Sequence, residues 1–312
     1  MSSTPAVDDA PPRIGVIGAG RMGSAILQRL TAGPWQVGVH DRDDARAAGA
    51  RARGQQWFPD AGDLVAWADI VVTVLPDGSV LREVMTDATC AACGPGAVWV
   101  DLTSGDPVTT RQATELATAH GLPLVAAPMG GGPVEAADGA LLFFVAGPDD
   151  AVDRVRPVLE HLAAPGRVRM VGQEPADAQT VKLLVNALWF TQALATSEAL
   201  LVAARAGIGP ERMRDLLPGT AGASAFSDRF LSRFLYGDDF SSFGVDGVVT
   251  ELRGVRRAAG SLLTPVLDAS LTQHEAALAR FGTAGGEIAA VQLLEEQNGI
   301  ALRPLSAEEP GT

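Results

Sequence analysis

The chain has 312 residues, long enough for two domains with a core each. With 47 % hydrophobic and 20 % charged residues it has the composition of a folded globular protein, which excludes disorder, collagen and a disulfide scaffold. A formal charge of −13 argues against nucleic acid or an anionic membrane surface as the main partner, but not against an anionic ligand held in a local pocket.

Residues 1–12 are polar and proline-containing and lack the apolar run of a signal peptide; they read as a flexible tail, as do residues 307–312. From there short apolar runs alternate with helical patterns. Residues 13–17, 36–41, 70–75, 97–102, 122–127, 141–146 and 168–171 read as strands, β-branched and bounded by Gly, Pro or Asp. Residues 22–32, 80–85, 108–120 and 150–162 read as helices between them. This alternation predicts a mostly parallel sheet covered on both faces, an α/β domain over residues 13–174. The second half, 175–302, reads as all-helical, with helices at 176–206, 210–217, 227–235, 245–259, 265–278 and 286–294. The most apolar stretch, 181–208, still contains Lys182, Asn186, Gln192, Glu198 and Arg205. It reads as a buried helix rather than a membrane span, so a cytoplasmic protein is expected.

Cys90 and Cys93 form a lone C-x-x-C without further ligands, and the four histidines are scattered, so no metal site is expected. The glycines Gly18, Gly20 and Gly23 form G-x-G-x-x-G, with Ala19, Arg21 and Met22 between them, after the first strand and at the start of the first helix. There Gly18 permits the tight turn, Gly20 lets the backbone approach a pyrophosphate, and Gly23 lets helix pack on sheet. The domain thus reads as a doubly wound Rossmann fold binding a dinucleotide. Asp41, at the end of the second strand, is placed to accept hydrogen bonds from ribose hydroxyls, which favours NAD. Arg42 beside it suits the 2′-phosphate of NADP. The acidic neighbours Asp43 and Asp44 tip the reading towards NAD.

Among 24 basic residues Lys182 is the sole lysine, and it sits in one of the most apolar helices. A compositional bias towards arginine explains the missing surface lysines but not this placement. Lysine differs from arginine in that burial lowers its pKa readily, which suits an acid or base near neutrality. Asn186 and Trp189 share its helix face at i+4 and i+7, so an ammonium, an amide and an aromatic wall line up for a small polar substrate. A helix-interior amide bonding a neighbouring loop is the alternative role for Asn186.

Together these residues resemble the β-hydroxyacid dehydrogenase family, across about residues 13 to 300. The glycine loop matches its G-x-G-x-M-G. Leu75-Pro76 matches its Leu-Pro pair near the nicotinamide. Asp101 to Pro107 match its D-x-S/T-S/T-x-x-P segment, Pro128 to Gly132 its substrate loop in outline, and Lys182 with Asn186 its K-x-x-x-N. The resemblance implies an NAD- or NADP-dependent oxidoreductase acting on a small 3-hydroxy acid or semialdehyde. Lys182 would be the general acid/base, and Asn186 would hold it or the substrate. Thr103 and the backbone of Gly130, Gly131 and Gly132 would contact substrate. Leu75, Pro76 and Ser104 would join the glycine loop around the cofactor. It also implies a homodimer or homotetramer formed through the helical half. Gly130 departs from the usual serine, which removes a hydroxyl contact and widens the pocket. Thr250-Glu251-Leu252 replaces Lys-Asp-Leu, so a second lysine near the cofactor is missing. Two alternatives are an imine reductase on the same fold, which Lys182 argues against, and a non-catalytic dinucleotide-binding protein.

Overall fold

Ile14, Val16 and Ile17 place β1 (Arg13–Ile17) at the centre of a sheet that hides both faces. The computed structural model describes residues 11–238, 240 and 243–303. Its further strands are β2 (Gln36–His40), β3 (Gln56–Trp57), β4 (Ile70–Thr73), β5 (Val98–Asp101), β6 (Leu124–Ala126), β7 (Met129–Gly130), β8 (Leu141–Ala146) and β9 (Ala163–Gly172). The order is β3-β2-β1-β4-β5-β6-β8-β7, with β9 pairing β8. All pairs from β3 through β6 are parallel, β8 runs antiparallel to β6 and β7, and β9 runs parallel to β8. The order reverses between β1 and β4, the switch point beside which ligands bind in open α/β sheets.

The helices of this half are α1 (Arg21–Thr31), α2 (Ala47–Ala52), α3 (Ala61–Trp67), α4 (Gly78–Val84), α5 (Asp87–Ala92), α6 (Pro107–Ala119), α7 (Pro133–Asp138) and α8 (Asp149–Leu162). Asp60, Asp77 and Asp106 accept hydrogen bonds from the first N–H groups of α3, α4 and α6, which fixes where those helices begin. Alternate strand residues feed opposite layers. Val72, Val98 and Val100 join Ile26, Leu30 and Val155 on one face, whereas Val71 and Trp99 join Leu64, Leu81 and Ala113 on the other.

The remaining helices are α9 (Pro175–Arg205), α10 (Pro210–Leu216), α11 (Leu231–Leu235), α12 (Val245–Ala259), α13 (Pro265–Phe281) and α14 (Ala289–Asn298). The chain divides into one unit up to Lys182 and another from Leu183, a seam inside α9. By length and composition alone α9 is long and apolar enough to cross a membrane. In the second unit its Leu194, Leu200 and Leu201 are buried with Phe226, Phe234 and Leu293, and its Leu183 and Phe190 with Val248 and Leu252.

The structure adds elements that the sequence pattern does not announce. Strands β3 and β7 have two residues each, too few to display a period, and helices α2, α3, α5 and α7 are one to two turns long. Strand β9 is longer than the expected 168–171, with register shifts against β8. The helix expected over 227–235 is broken into a π-helical turn, Phe226–Phe230, followed by α11. The expected tails lie outside the described residues except for Pro11 and Pro12. Cys90 is buried in α5 and Cys93 follows it. Burial raises both thiols to about 11, so neither is a thiolate near neutrality.

Candidate active site

The glycine loop is built by necessity at two positions and by opportunity at a third. Gly18 has φ +104°, and a Cβ on it would stand 2.2 Å from the Val74 carbonyl oxygen. A Cβ on Gly23 would stand 2.0 Å from the Gly18 carbonyl oxygen. At Gly20 a Cβ would meet nothing within 4 Å, so the space over the start of α1 is open. Gly20 is also the N-cap of α1, no side chain caps it, and no acidic residue occupies the first turn. Backbone N–H groups and the positive end of the helix dipole therefore face that open space, which fits a pyrophosphate. Arg21 is exposed at the first helical position, and Met22 packs partly into the core.

Asp41, just beyond β2, braces this loop. Its Oδ2 accepts from the Ala19 N–H at 2.6 Å and its Oδ1 from the Asp43 N–H at 2.9 Å. Arg46, which sequence reasoning missed, lies 3.4 Å from Asp41 and 3.4 Å from Asp43, and its guanidinium also donates to the Ala19 carbonyl. Arg42 is exposed next to this group.

At the carboxyl ends of β4 and β5 a buried network joins the two loops expected near a nicotinamide. The Trp99 indole N–H donates to the Thr73 hydroxyl at 2.9 Å, and that hydroxyl donates to Asp101 Oδ1 at 2.8 Å. The Thr103 N–H donates to the same oxygen at 3.0 Å. The Thr103 hydroxyl oxygen accepts from the Leu75 N–H at 3.2 Å. Burial raises the Asp101 carboxyl to about 6, against the opposing effect of its Thr73 and Thr103 donors. Thr103 is itself buried, and its amide, hydroxyl and carbonyl all serve bonds within the protein. Ser104 and Pro76 are exposed on the two loops, and Leu75 is half-buried.

Gly130 ends β7, and Gly131 and Gly132 lead from it into α7. Gly131 needs to be glycine, with φ +115° and a Cβ that would press on Leu141 at 3.0 Å. Gly130 does not, since its Cβ would meet Leu142 at an ordinary 3.6 Å. The Gly132 N–H donates to the Glu135 carboxylate at 2.9 Å. This donor thus closes the start of α7 instead of standing ready for a substrate.

The first turns of α9 are fixed to the sheet. Ala178 is buried against Ala126 and Ala146. Gln179, also missed from sequence, is 1 % exposed, and its amide donates to the Thr103 carbonyl at 2.8 Å and accepts from the Gly105 N–H at 3.1 Å. Lys182 stands one turn further along the same helix face, half-buried. In the second unit the Asn186 amide donates to Glu251 at 2.7 Å, so the glutamate in the Thr250-Glu251-Leu252 segment orients it. The Trp189 indole N–H donates to Glu287 at 2.6 Å, and its ring packs against Phe226 and Phe230, a core role more than a free wall. Arg46 follows Arg42 by four residues, across a bend into a short 3-10 turn, and Gln179 precedes Lys182 by one helical turn, the spacings that could have marked them.

Two family profiles cover most of the chain. One, described as the NAD binding domain of 6-phosphogluconate dehydrogenase, matches residues 13–172. The other, described as NAD-binding of NADP-dependent 3-hydroxyisobutyrate dehydrogenase, matches residues 176–294. A probable 3-hydroxyisobutyrate dehydrogenase of Mycobacterium tuberculosis is 33 % identical over 209 residues, covering 67 % of this chain and 70 % of that one. The chain belongs to the β-hydroxyacid dehydrogenase family. Its membership makes it an NAD(P)-dependent dehydrogenase acting on a CH–OH group. In fold it is similar to the solved Mycobacterium tuberculosis 3-hydroxyisobutyrate dehydrogenase with L-serine, at TM-score 0.82 and 25 % identity over 91 % of this chain and 99 % of that one. An imine reductase of Myxococcus stipitatus in complex with NAD+ shares the fold at TM-score 0.62 and 23 % identity, over 90 % of this chain and 98 % of that one.

Proposed function

We propose that this β-hydroxyacid dehydrogenase interconverts a small 3-hydroxy acid and its semialdehyde, with Lys182 as general acid/base. The observation that carries the reading is the seating of the sole lysine: one turn beyond Gln179, whose amide grips the Thr103–Gly105 loop at the carboxyl end of the sheet. The nicotinamide, when bound, accepts or supplies the hydride. In oxidation the Lys182 amine takes the proton of the substrate hydroxyl; in reduction its ammonium returns that proton to the carbonyl oxygen. The first N–H groups of α1 hold the pyrophosphate, Asp41 and Arg42 flank the adenosine ribose, and Leu75, Pro76 and Ser104 border the nicotinamide. Asn186, steadied by Glu251, orients the reacting groups.

NAD is the favoured cofactor. Arg46 is already shared between Asp41 and Asp43, which leaves Arg42 as the one cation of this turn without a carboxylate partner among the described residues. A 2′-phosphate there would meet the acidic Asp41, Asp43 and Asp44. Homodimerisation or tetramerisation through the helical half is supported by an exposed stripe on α9. Leu184, Leu188 and Val202 share one face and are 44, 55 and 70 % exposed. We place the protein in the cytoplasm.

The test is a steady-state panel: 3-hydroxypropionate, 3-hydroxyisobutyrate, their semialdehydes and cyclic imines, each with NAD and NADP. Turnover on the hydroxy acid and semialdehyde pairs, with NAD ahead, supports the reading. Turnover on imines alone, or none despite tight cofactor binding, overturns it. In size-exclusion chromatography with light scattering, Leu188→Asp should dissociate the oligomer.

A further inference from the structure

Gln179 has a buried primary amide with both ends engaged, and its partners lie far upstream in the chain. The Nε2 donates to the Thr103 carbonyl at 2.8 Å and the Oε1 accepts from the Gly105 N–H at 3.1 Å. Both partners belong to the turn between β5 and α6. That turn is itself pinned from below, because Thr103 bonds Asp101 through its amide and Leu75 through its hydroxyl oxygen. A single amide therefore joins the first turns of α9 to the network that holds both loops expected at the nicotinamide. The neighbouring Ala178 supplies a second anchor by packing on Ala126 and Ala146, but an apolar contact between methyl groups fixes no rotation about the helix axis. Two opposed hydrogen bonds to one backbone turn do fix it.

We infer that Gln179 is a positioning residue for proton transfer: it clamps the turn Thr103–Gly105 and so sets the rotation and height of the helical turn that carries Lys182. The inference rests on the reading of Lys182 as the acid/base. The side chain touches neither cofactor nor substrate in this role; it acts through the placement of Lys182. Losing it lets the helix turn relax while the glycine loop, held by Asp41 and Ser24, keeps its shape. Misplacement of a reacting group by about 1 Å costs on the order of 100-fold in rate. Clamp loss should therefore appear mainly in the chemical step, with at most a small change in cofactor affinity through Ser104 in the clamped turn.

The experiment compares wild type, Gln179→Met, Gln179→Glu and Lys182→Ala. Methionine fills a similar volume without either hydrogen bond. Glutamate keeps an acceptor for the Gly105 N–H but turns an oxygen towards the Thr103 carbonyl. Single-turnover hydride transfer is followed with protiated and deuterated substrate across pH, and cofactor affinity by fluorescence titration. Gln179→Met should slow hydride transfer by about 10- to 100-fold, displace the limb of the pH profile that Lys182→Ala abolishes, and change cofactor Kd less than about threefold. Gln179→Glu should fall between it and wild type. Wild-type rates and pH profile in a folded Gln179→Met overturn the inference while leaving Lys182 in its role. Equal losses in rate and cofactor affinity with an unmoved pH limb also overturn it, since that is the signature of a general loosening. If Gln179→Met does not fold, Gln179→Glu alone decides, by the same pH limb. If Lys182→Ala keeps full hydride transfer, the acid/base reading fails first and the inference with it.

Discussion

The carboxylate of Asp41 accepts the Ala19 N–H at 2.6 Å, which ties the end of β2 to the middle of the glycine loop. One residue thereby shapes the glycine turn and, on the proposed reading, presents a negative charge to the adenosine ribose. Asp41→Ala removes both effects. NAD affinity should fall, and the repulsion against a 2′-phosphate should fall with it, leaving Arg42 and a released Arg46 to attract one. The ratio of kcat/KM for NAD over NADP should drop by about tenfold or more, the equivalent of about 1.4 kcal/mol. Steady-state kinetics with both cofactors measures it, and an unchanged ratio speaks against a selective role for this carboxylate.

Gly130 is not forced by the backbone. A side chain there meets Leu142 at an ordinary 3.6 Å, unlike Gly131, where φ is +115°. Gly130→Ser should fold with an unchanged Tm and add a hydroxyl to the loop proposed to contact substrate. Its KM for hydroxy acids should shift by several-fold while cofactor Kd stays constant. Gly131→Ala should cost on the order of 1–3 kcal/mol through backbone strain, read as a lower denaturation midpoint.

Asp101 gives a pH-dependent signature. Its folded value of about 6 lies above the 3.8 of the free carboxyl, because burial disfavours the charge. The folded chain therefore binds this proton more tightly than the unfolded chain. The contribution to stability is fully present below the unfolded value and is lost as pH rises through about 6, amounting to about 3 kcal/mol. Asp101→Asn removes the titration. The stability of wild type relative to this variant, from denaturant melts at about pH 4 and about pH 7.5, should decline by that order across the window. A constant difference contradicts the buried, raised carboxyl.

How much of this was legible in the sequence depended on whether the cause was local. The glycine loop was legible because its three glycines follow one strand and open one helix at fixed spacing, although the clash that demands Gly18 comes from Val74 beyond β4 and only that at Gly23 is local. The alternation of β-branched runs with helical patterns likewise exposed the parallel sheet and the all-helical second half. Strands β3 and β7 were hidden because two residues carry no period, and they exist only through pairing with β2 and β8. Gln179 was hidden for a related reason. Its partners Thr103 and Gly105 lie more than 70 residues upstream, and nothing in a polar residue on an apolar helix says which turn it will meet. The Gly132 N–H was expected to be a substrate donor. Its capture by Glu135, three residues on, is a helix-start pattern that the glycine run obscured.

The central claim is that the Lys182 amine moves the substrate proton. The most direct measurement is single-turnover hydride transfer in Lys182→Ala, with cofactor affinity measured on the same preparation and a small primary amine then added. The account predicts a rate lower by about 100- to 10,000-fold, a cofactor Kd close to that of wild type, and partial recovery of rate with the added amine. Hydride transfer at the wild-type rate in Lys182→Ala would contradict it.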